Sequence, residues 1–339
     1  MPAPSGRLLA MRVLLYEWCS SGGLVGDDPA IAREGRMMLE ALAADAAKEP
    51  GLDVTVLADE ARPIDLPAGA RRLAVPPGGD RAALVAAASQ ADWTVIVAPE
   101  SDGILLDRVR TVRAAGGRVL APADSVIATA ADKQATLDSL AARGVPVPAG
   151  CSLSVGEPVP AGFRLPAVRK ARSGCGGEAL EIIRRPGVTP ATGPTRLEAL
   201  AAGVPVGVSL IGGTRATATL PPMRQRFSDG TSPRYLGSDL LPDGDLANRA
   251  TALALRAAAA LVAEAGWLGV DLILGDRADG RDDRVLEVNP RVTTSFVGLA
   301  RLFASSLVAA MIEAASGEQP AFVPTARAGD TGGFNLLAD

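Results

Sequence analysis

Between Met11 and Pro122 short apolar runs alternate with segments of helical periodicity, a rhythm that few folds accommodate. MRVLLYEW (Met11–Trp18), DVTVLAD (Asp53–Asp59), RRLAVP (Arg71–Pro76), WTVIVAP (Trp93–Pro99) and RVLAP (Arg118–Pro122) read as strands. Residues 29–47, 80–89 and 105–115 carry apolar positions at helical spacing between them. Strands separated by helices are joined by crossovers, so the pattern predicts a mostly parallel sheet. Such a sheet offers ligands the C-terminal ends of its strands, here the loops Glu17–Gly23 and Glu100–Gly103. The plainer alternative is that both are connecting turns.

Past Pro122 the rhythm changes. Asp124–Arg143 reads as one helix, ended by Gly144 and blocked by VPVP. A smaller module follows, with strands at Leu165–Ala171 and Ala179–Arg185, a turn-rich spacer over 186–195 and a short helix at Arg196–Ala202. Val204–Ile211 reads as a strand with a partner at Arg215–Leu220. Residues 222–244 are polar and broken by Gly and Pro, which predicts an ordered loop over a site. A long helix at Ala247–Ala265 precedes a hairpin made of WLGVDLIL (Trp267–Leu274) and DRVLEVNP (Asp283–Pro290), and a last helix spans Val297–Ala314. The expected organisation is α/β followed by α+β. Residues 1–10 form a disordered leader (or Met11 is the start), 11–123 an N-terminal α/β domain, 124–318 a second domain with a small lobe at 165–212, and 319–339 a tail.

Composition narrows the chemistry. With no histidine among 339 residues, Ser-His-Asp and Cys-His catalysis and imidazole-bound zinc are excluded. Three cysteines, Cys19, Cys151 and Cys175, are too few and too scattered for a disulfide framework, and a reducing cytoplasm is the expected setting. A net charge of -4 speaks against a nucleic-acid carrier, and no apolar run is long enough for a membrane span.

Three groups of residues could carry chemistry. In a strand, positions two apart share a face, so Glu287 and Asn289 point the same way, and a paired strand could add Asp271. Two carboxylates and an amide oxygen suit a hard cation such as Mg2+, with phosphate oxygens completing its shell, and Arg291 just beyond could grip a phosphate. The alternative is a polar edge hairpin with one solvent face. Next, Arg169-Lys170 ends a strand before a loop bearing Gly174, Gly176 and Gly177. Small residues let backbone N–H groups approach phosphate while the lysine adds a point charge. The order is neither a Walker A motif nor a dinucleotide fingerprint, and a basic surface turn is the bland reading. Lys133 and Glu198, taken singly, are ordinary polar residues.

In combination, DK…L…GVPVP, then VRK…GCGG, then GWLGVDLIL, then LEVNPR resembles the ATP-grasp superfamily over roughly residues 124–315. The resemblance implies a fold that clamps ATP between two α+β lobes behind an N-terminal pre-ATP-grasp domain. It implies nucleotide contacts from Lys133, Lys170, Gly174, Gly176, Gly177 and Glu198, the last aligned by a one-residue shift in RLEALAAG. It further implies metal ligation by Asp271, Glu287 and Asn289 and a phosphoryl contact from Arg291, with Lys170 and Arg291 catalytic, ATP as co-substrate and Mg2+ (Mn2+ as the alternative) as the ion.

In the front domain, YEWCSSGG, REGRMML and APESDGILL are similar to the tyramine–glutamate ligases of methanofuran biosynthesis and their bacterial relatives. That similarity implies amide formation between the glutamate γ-carboxylate and tyramine, tyrosine or a related amine, through an acyl phosphate. Glu17, Ser20, Ser21, Gly22, Gly23, Glu34 and Glu100 become candidate substrate contacts. Arg224, Arg226 and Arg234 could hold a substrate carboxylate, or form a solvated rim. The partners expected are a small carboxylate and a small amine, with a homodimer as the default assembly. The alternatives are a ligase of another pair, such as a dipeptide or peptide-tail ligase, or a non-catalytic ATP-binding protein.

Overall fold

The computed structural model of the chain describes residues 11–24, 26, 28–174, 180–185, 187–213, 217–262, 265–325 and 333–335. The expected leader at 1–10 lies outside them.

The first part is built as its rhythm predicts. β1 (Met11–Glu17), α1 (Pro29–Ala46), β2 (Leu52–Asp59), β3 (Arg71–Val75), α2 (Asp80–Ala88), β4 (Trp93–Val97) and α3 (Ile104–Ala114) follow in order. The strands form a parallel sheet in the order β3-β2-β1-β4. Val13, Leu14, Leu15 and Tyr16 are all buried, as a central strand covered on both faces requires. Helix α1 starts where Asp28 accepts hydrogen bonds from the amides of Ala30 and Ile31, each at 3.2 Å, with Pro29 at its first position. The strand expected at Arg118–Pro122 is reduced to a single parallel bridge between Thr94 and Val119. Strand order reverses between β1 and β4, so the crevice of this sheet opens at their C-terminal ends.

Asp124–Arg143 is not one helix but two, α4 (Asp124–Ala130) and α5 (Lys133–Ala142). The break is Asp132, extended at φ -119°, which accepts from the Gln134 and Ala135 amides as the cap of α5. Next come β5 (Gly150–Leu153), β6 (Ala167–Ala171), β7 (Glu181–Ile183) and β8 (Thr195–Ala199), an antiparallel sheet in the order β5-β8-β6-β7. β8 occupies the segment expected to be a short helix. Leu, Glu and Ala favour helix there, but strand partners on both sides override a weak local preference.

The remainder builds the largest sheet. β9 (Val204–Gly212), β10 (Thr217–Thr219), β11 (Met223–Phe227) and β12 (Tyr235–Leu240) precede α6 (Asp245–Leu261). β13 (Gly266–Leu274), β14 (Arg284–Asn289), α7 (Phe296–Leu302), α8 (Leu307–Ala315) and β15 (Phe334–Asn335) complete the chain. The antiparallel order is β14-β13-β9-β11-β12-β15, with β10 beside β9. The loop expected over 222–244 therefore contains the hairpin β11–β12, and the expected tail supplies an edge strand. The single last helix is two, α7 and α8, separated by Ser306, whose hydroxyl caps the second. No helix of the described residues is long and apolar enough to cross a membrane.

Helix α1 packs on α7 and α8, so one buried cluster runs from Val13, Leu39 and Leu42 to Phe296, Leu307 and Met311. A polar clasp crosses it. The Asp45 carboxylate accepts from Ser306 Oγ and the Val308 amide, both at 2.9 Å, and from Lys48 Nζ at 2.9 Å. Burial pushes the Asp45 carboxyl up, which these donors oppose. Asp45→Ala leaves donors of α8 buried without an acceptor and is expected to cost about 3 kcal/mol, read as a lower urea midpoint with an unchanged slope.

Candidate active site

The hairpin β13–β14 sets the geometry. Its register places Asp271 opposite Glu287 and Gly269 opposite Asn289. A side chain at Gly269 would strike Thr293, with an ideal Cβ only 2.6 Å from its methyl carbon, so glycine keeps the space beside Asn289 open. Asp271 accepts from Gln225 Nε2 at 2.7 Å and Asn289 Nδ2 at 3.1 Å. Removal from water and the neighbouring Glu287 charge push its carboxyl up to about 6, against the pull of those two donors. Desolvation also acts on Glu287, but Lys133 and Lys170 outweigh it and leave that carboxyl below its usual range.

The cations arrive from three directions. Lys133, the first residue of α5, bonds Glu287 Oε1 and the Gly174 carbonyl, each at 2.8 Å. Lys170, near the end of β6, bonds Glu198 Oε1 at 2.9 Å and the Leu286 carbonyl on β14 at 3.0 Å. Arg196 holds the other oxygen of Glu198 at 2.9 Å. Arg291 lies 2.8 Å from Glu100 Oε1 through Nε and donates through Nη2 to Oε2 at 3.1 Å.

Several of these groups line one cavity of about 410 Å3, whereas Lys133, Arg196 and Glu100 stand behind its lining. Val168, Leu180, Ile182, Leu200, Ile273 and Leu286 give it an apolar wall suited to a flat heterocycle. Lys170, Glu198, Asp271, Glu287, Asn289 and Arg291 line it as well, and Glu34 joins them from α1. Sequence reasoning missed Gln225, Phe227, Tyr235 and the run Thr293-Thr294-Ser295, which also line it. The only available signals were the alternation of Gln225 and Phe227 in MRQRF and the position of the hydroxyl run directly behind Arg291. Tyr235 bonds Ser238 Oγ at 2.6 Å, and burial raises its phenol to about 12.

Other expected residues lie elsewhere. Glu17 is buried and turned into its own loop, accepting from the Cys19 and Ser20 amides at 3.0 and 2.8 Å. Ser21 Oγ bonds the Leu57 carbonyl, Gly22 adopts φ +87°, and Gly23 sits under the Trp18 ring. Ser20 lines a separate cavity of about 230 Å3 with Arg33, Arg36 and Arg62. Arg226 pairs with Asp239 at 2.8 Å, and Arg224 and Arg234 are exposed; none of the three lines the large cavity. For Arg224 and Arg226 strand alternation is the reason, since Gln225 and Phe227 take the cavity face of β11, and Arg234 lies in the turn before β12. Gly176 and Gly177 lie outside the described residues.

A metal would have to be held by mixed donors. Among the described residues no group of three or more acidic or cysteine side chains could hold one alone. Asp271, Glu287 and the amide of Asn289 offer the hard oxygens that such a cation would need, with its other ligands coming from elsewhere.

The arrangement matches known proteins. Residues 130–295 match the family model described as an ATP-grasp domain, and residues 52–127 match a pre-ATP-grasp domain. The chain belongs to the ATP-grasp superfamily and has the ATP-grasp fold behind an N-terminal pre-ATP-grasp domain. Among solved structures, an ATP-grasp superfamily protein from Archaeoglobus fulgidus is similar at 21% identity and a TM-score of 0.68, covering 92% of this chain and 90% of its own. An L-amino acid ligase from Bacillus licheniformis gives 14% identity and 0.65, covering 91% and 76%. A D-alanine–D-alanine ligase from Bacillus anthracis, complexed with ATP, gives 16% and 0.60, covering 90% and 97%. No curated protein matches in sequence.

Lys133 is placed by its neighbour. Asp132 caps α5 and also binds Arg172 at 2.6 Å, while the Lys133 amide donates to the Arg172 carbonyl at 2.9 Å. Partial burial opposes ionisation of Asp132, but Arg172 and the capping amides pull its carboxyl below the ordinary range. Its stabilising contribution is thus present at neutral pH and lost as pH falls through the lowered value, below about 3.9. Asp132→Asn is expected to lower the urea midpoint at pH 7 and to converge with the unsubstituted protein in acid.

Proposed function

We propose that this protein is an ATP-dependent carboxylate–amine ligase that works through an acyl phosphate. The observation that carries the reading is the meeting of Lys170, Glu198, Asp271, Glu287, Asn289 and Arg291 around one cavity with an apolar wall. The substrate-side domain is taken as 11–123 and the ATP-grasp domain as 124–318. The adenine fits against Val168, Ile182 and Leu286, with Glu198 beside it, and the phosphates run past Lys170 and Lys133 toward Arg291. Asp271, Glu287 and Asn289 would hold Mg2+, which supplies charge neutralisation at the phosphate oxygens.

The chemistry follows from leaving groups. A carboxylate expels oxide poorly. When its oxygen attacks the γ-phosphorus and ADP departs, the acyl carbon gains phosphate as a leaving group. Lys170 and Arg291 stand where negative charge spreads over the transferred phosphoryl oxygens. The amine nitrogen then bonds the acyl carbon, the carbon–oxygen bond to phosphate breaks, and the proton passes to a carboxylate or to the departing phosphate. Without histidine, Glu34 is the carboxylate of the front domain that lines the cavity for this purpose.

For the substrate pair, we propose glutamate through its γ-carboxylate and tyramine or a related aromatic amine. Supporting this are the sequence likeness of the front domain and the lining beside Glu34. Phe227 and Tyr235, with ring centroids 5.7 Å apart, offer an aromatic surface near a carboxylate, which suits a ring bearing an ammonium group.

With ATP and Mg2+, ADP release is expected to need both glutamate and tyramine, with a product at their summed mass less water. Lys170→Ala or Glu287→Ala should lower turnover about a hundredfold or more. Phe227→Ala should raise KM for the amine about three- to tenfold with little change in kcat. Activity only with another pair would reject this pair while keeping the ligase. No ATP binding and no ADP from any pair would reject the ligase.

A further inference from the structure

Glu100 comes from the front domain, and its carboxylate meets the site through Arg291. It follows β4 by three residues, at the end of the sheet where strand order reverses beside β1. Its side chain is 5% exposed, and that of Arg291 is 11% exposed. Arg291 follows β14, 191 residues further along the chain. A carboxylate in that position, removed from water, is held there by its pairing with the guanidinium.

The backbone around Glu100 is built for the purpose. Asp102 adopts φ 53°, which a residue with a Cβ rarely takes, and Gly103 continues at φ 69°. The turn closes with the Leu105 amide donating to the Pro99 carbonyl at 2.9 Å, which pins the segment carrying Glu100. The chain accepts a disfavoured conformation directly beyond a buried acid, a combination that recurs where a side chain must be aimed.

The edges of the guanidinium decide what Glu100 does. Its carboxylate accepts from Nη2 and lies 2.8 Å from Nε as an ion pair, and Nη1 donates to the Val292 carbonyl at 3.2 Å. Arginine presents planar N–H pairs, so fixing one edge fixes the plane and the direction of the other. A phosphoryl group in the cavity would meet the Nη1–Nη2 edge.

We propose that Glu100 is a positioning residue: it orients Arg291 toward the transferred phosphoryl group, so that the front domain completes the phosphoryl-transfer site. This rests on the nucleotide reading of the cavity given above. It differs from a substrate contact, because Glu100 then acts through Arg291 and not on the carboxylate or the amine.

The test uses the full chain, with Glu100→Gln, Glu100→Asp, Arg291→Lys and the Gln/Lys double variant. Binding of ADP is compared with binding of ADP plus aluminium fluoride, a phosphoryl mimic, both with Mg2+. Glu100→Gln should bind ADP within about twofold of the unsubstituted protein but the fluoride complex about tenfold or more weakly, since misaligned groups lose tens of fold in transition-state binding. Turnover should fall likewise, with KM for ATP unchanged. Glu100→Asp, which keeps the charge, should recover part of the loss, and Glu100→Gln should add little on top of Arg291→Lys because the two act as a unit.

Unweakened fluoride-complex binding by Glu100→Gln would overturn the proposal. So would a variant whose only defects are a lower melting temperature or a raised KM for the carboxylate or the amine. If the unsubstituted protein binds ADP yet makes no product, the ligase reading fails and the fluoride comparison still decides the role of Glu100. If it binds no ADP, both fall together.

Discussion

Asp271 and Glu287 face each other across β13 and β14, and two carboxylates withdrawn from water need answering charge. Glu287 receives it from Lys133 and Lys170, whereas Asp271 has the amide hydrogens of Gln225 and Asn289 and a smaller pull from Lys170. Burial first, and then the Glu287 charge, therefore leave the Asp271 carboxyl raised to about 6. Much of the surrounding structure serves this pair. Lys133 reaches it only because the chain breaks at Asp132 and starts α5 afresh there. Arg172, just past β6, fastens that break to the small sheet.

The same economy governs the other cations. Lys170 is matched by Glu198 and Arg291 by Glu100, so each strong donor at the cavity already has an acid beside it. Such pairs contribute little net stability once desolvation is counted, in contrast to their large effect when one member is lost. Their value is alignment. Charges held in place before a reaction need no reorganisation as phosphoryl charge develops, which is the larger part of electrostatic catalysis. Exposed pairs such as Arg81 and Asp107, where the side chains remain 59% and 44% accessible, contribute neither alignment nor much energy.

The parallel sheet and the β13–β14 hairpin were legible because their signals are local: apolar runs, period-two alternation and Gly or Pro punctuation. β8 was not, for a physical reason. Arg196 and Glu198 share a strand face and read as solvent-facing, yet they are 2% and 3% exposed because they form a buried network with Lys170. β11 and β12 were masked by Pro221, Pro222, Gly230 and Pro233, which punctuate a hairpin as readily as a loop. Of the residues that line the cavity, Lys170, Asp271, Glu287 and Asn289 were candidates from strand alternation and the glycine-bearing loop, and Glu198 only through the family resemblance. Gln225, Phe227 and Tyr235 were not, since their role comes from the face that β11 and β12 turn to the cavity. The pairing of Glu100 with Arg291 depends on how separate sheets dock, which no local pattern encodes.

Docking is also unequal across the molecule. The cluster joining the front domain to α7 and α8 contains tryptophan, phenylalanine and many leucines, and Asp45 clasps it. Among the described residues the small sheet has Leu153, Ala167, Ile183 and Leu197 as its buried apolar core, with partly buried residues such as Phe163 and Leu165 against them. Local opening is cheapest where buried apolar contact is least, so the wall that carries Val168, Ile182 and Lys170 is the softer one. Polar bonds help hold it down: Lys170 to the Leu286 carbonyl, Arg196 to Gln134 and the Pro148 carbonyl, and Arg172 to Asp132. Those bonds are directional, and one of them uses Lys170, the lysine proposed above to face the phosphates. On the proposed nucleotide site, a ligand that draws on Lys170 therefore acts on the attachment of the wall it binds against.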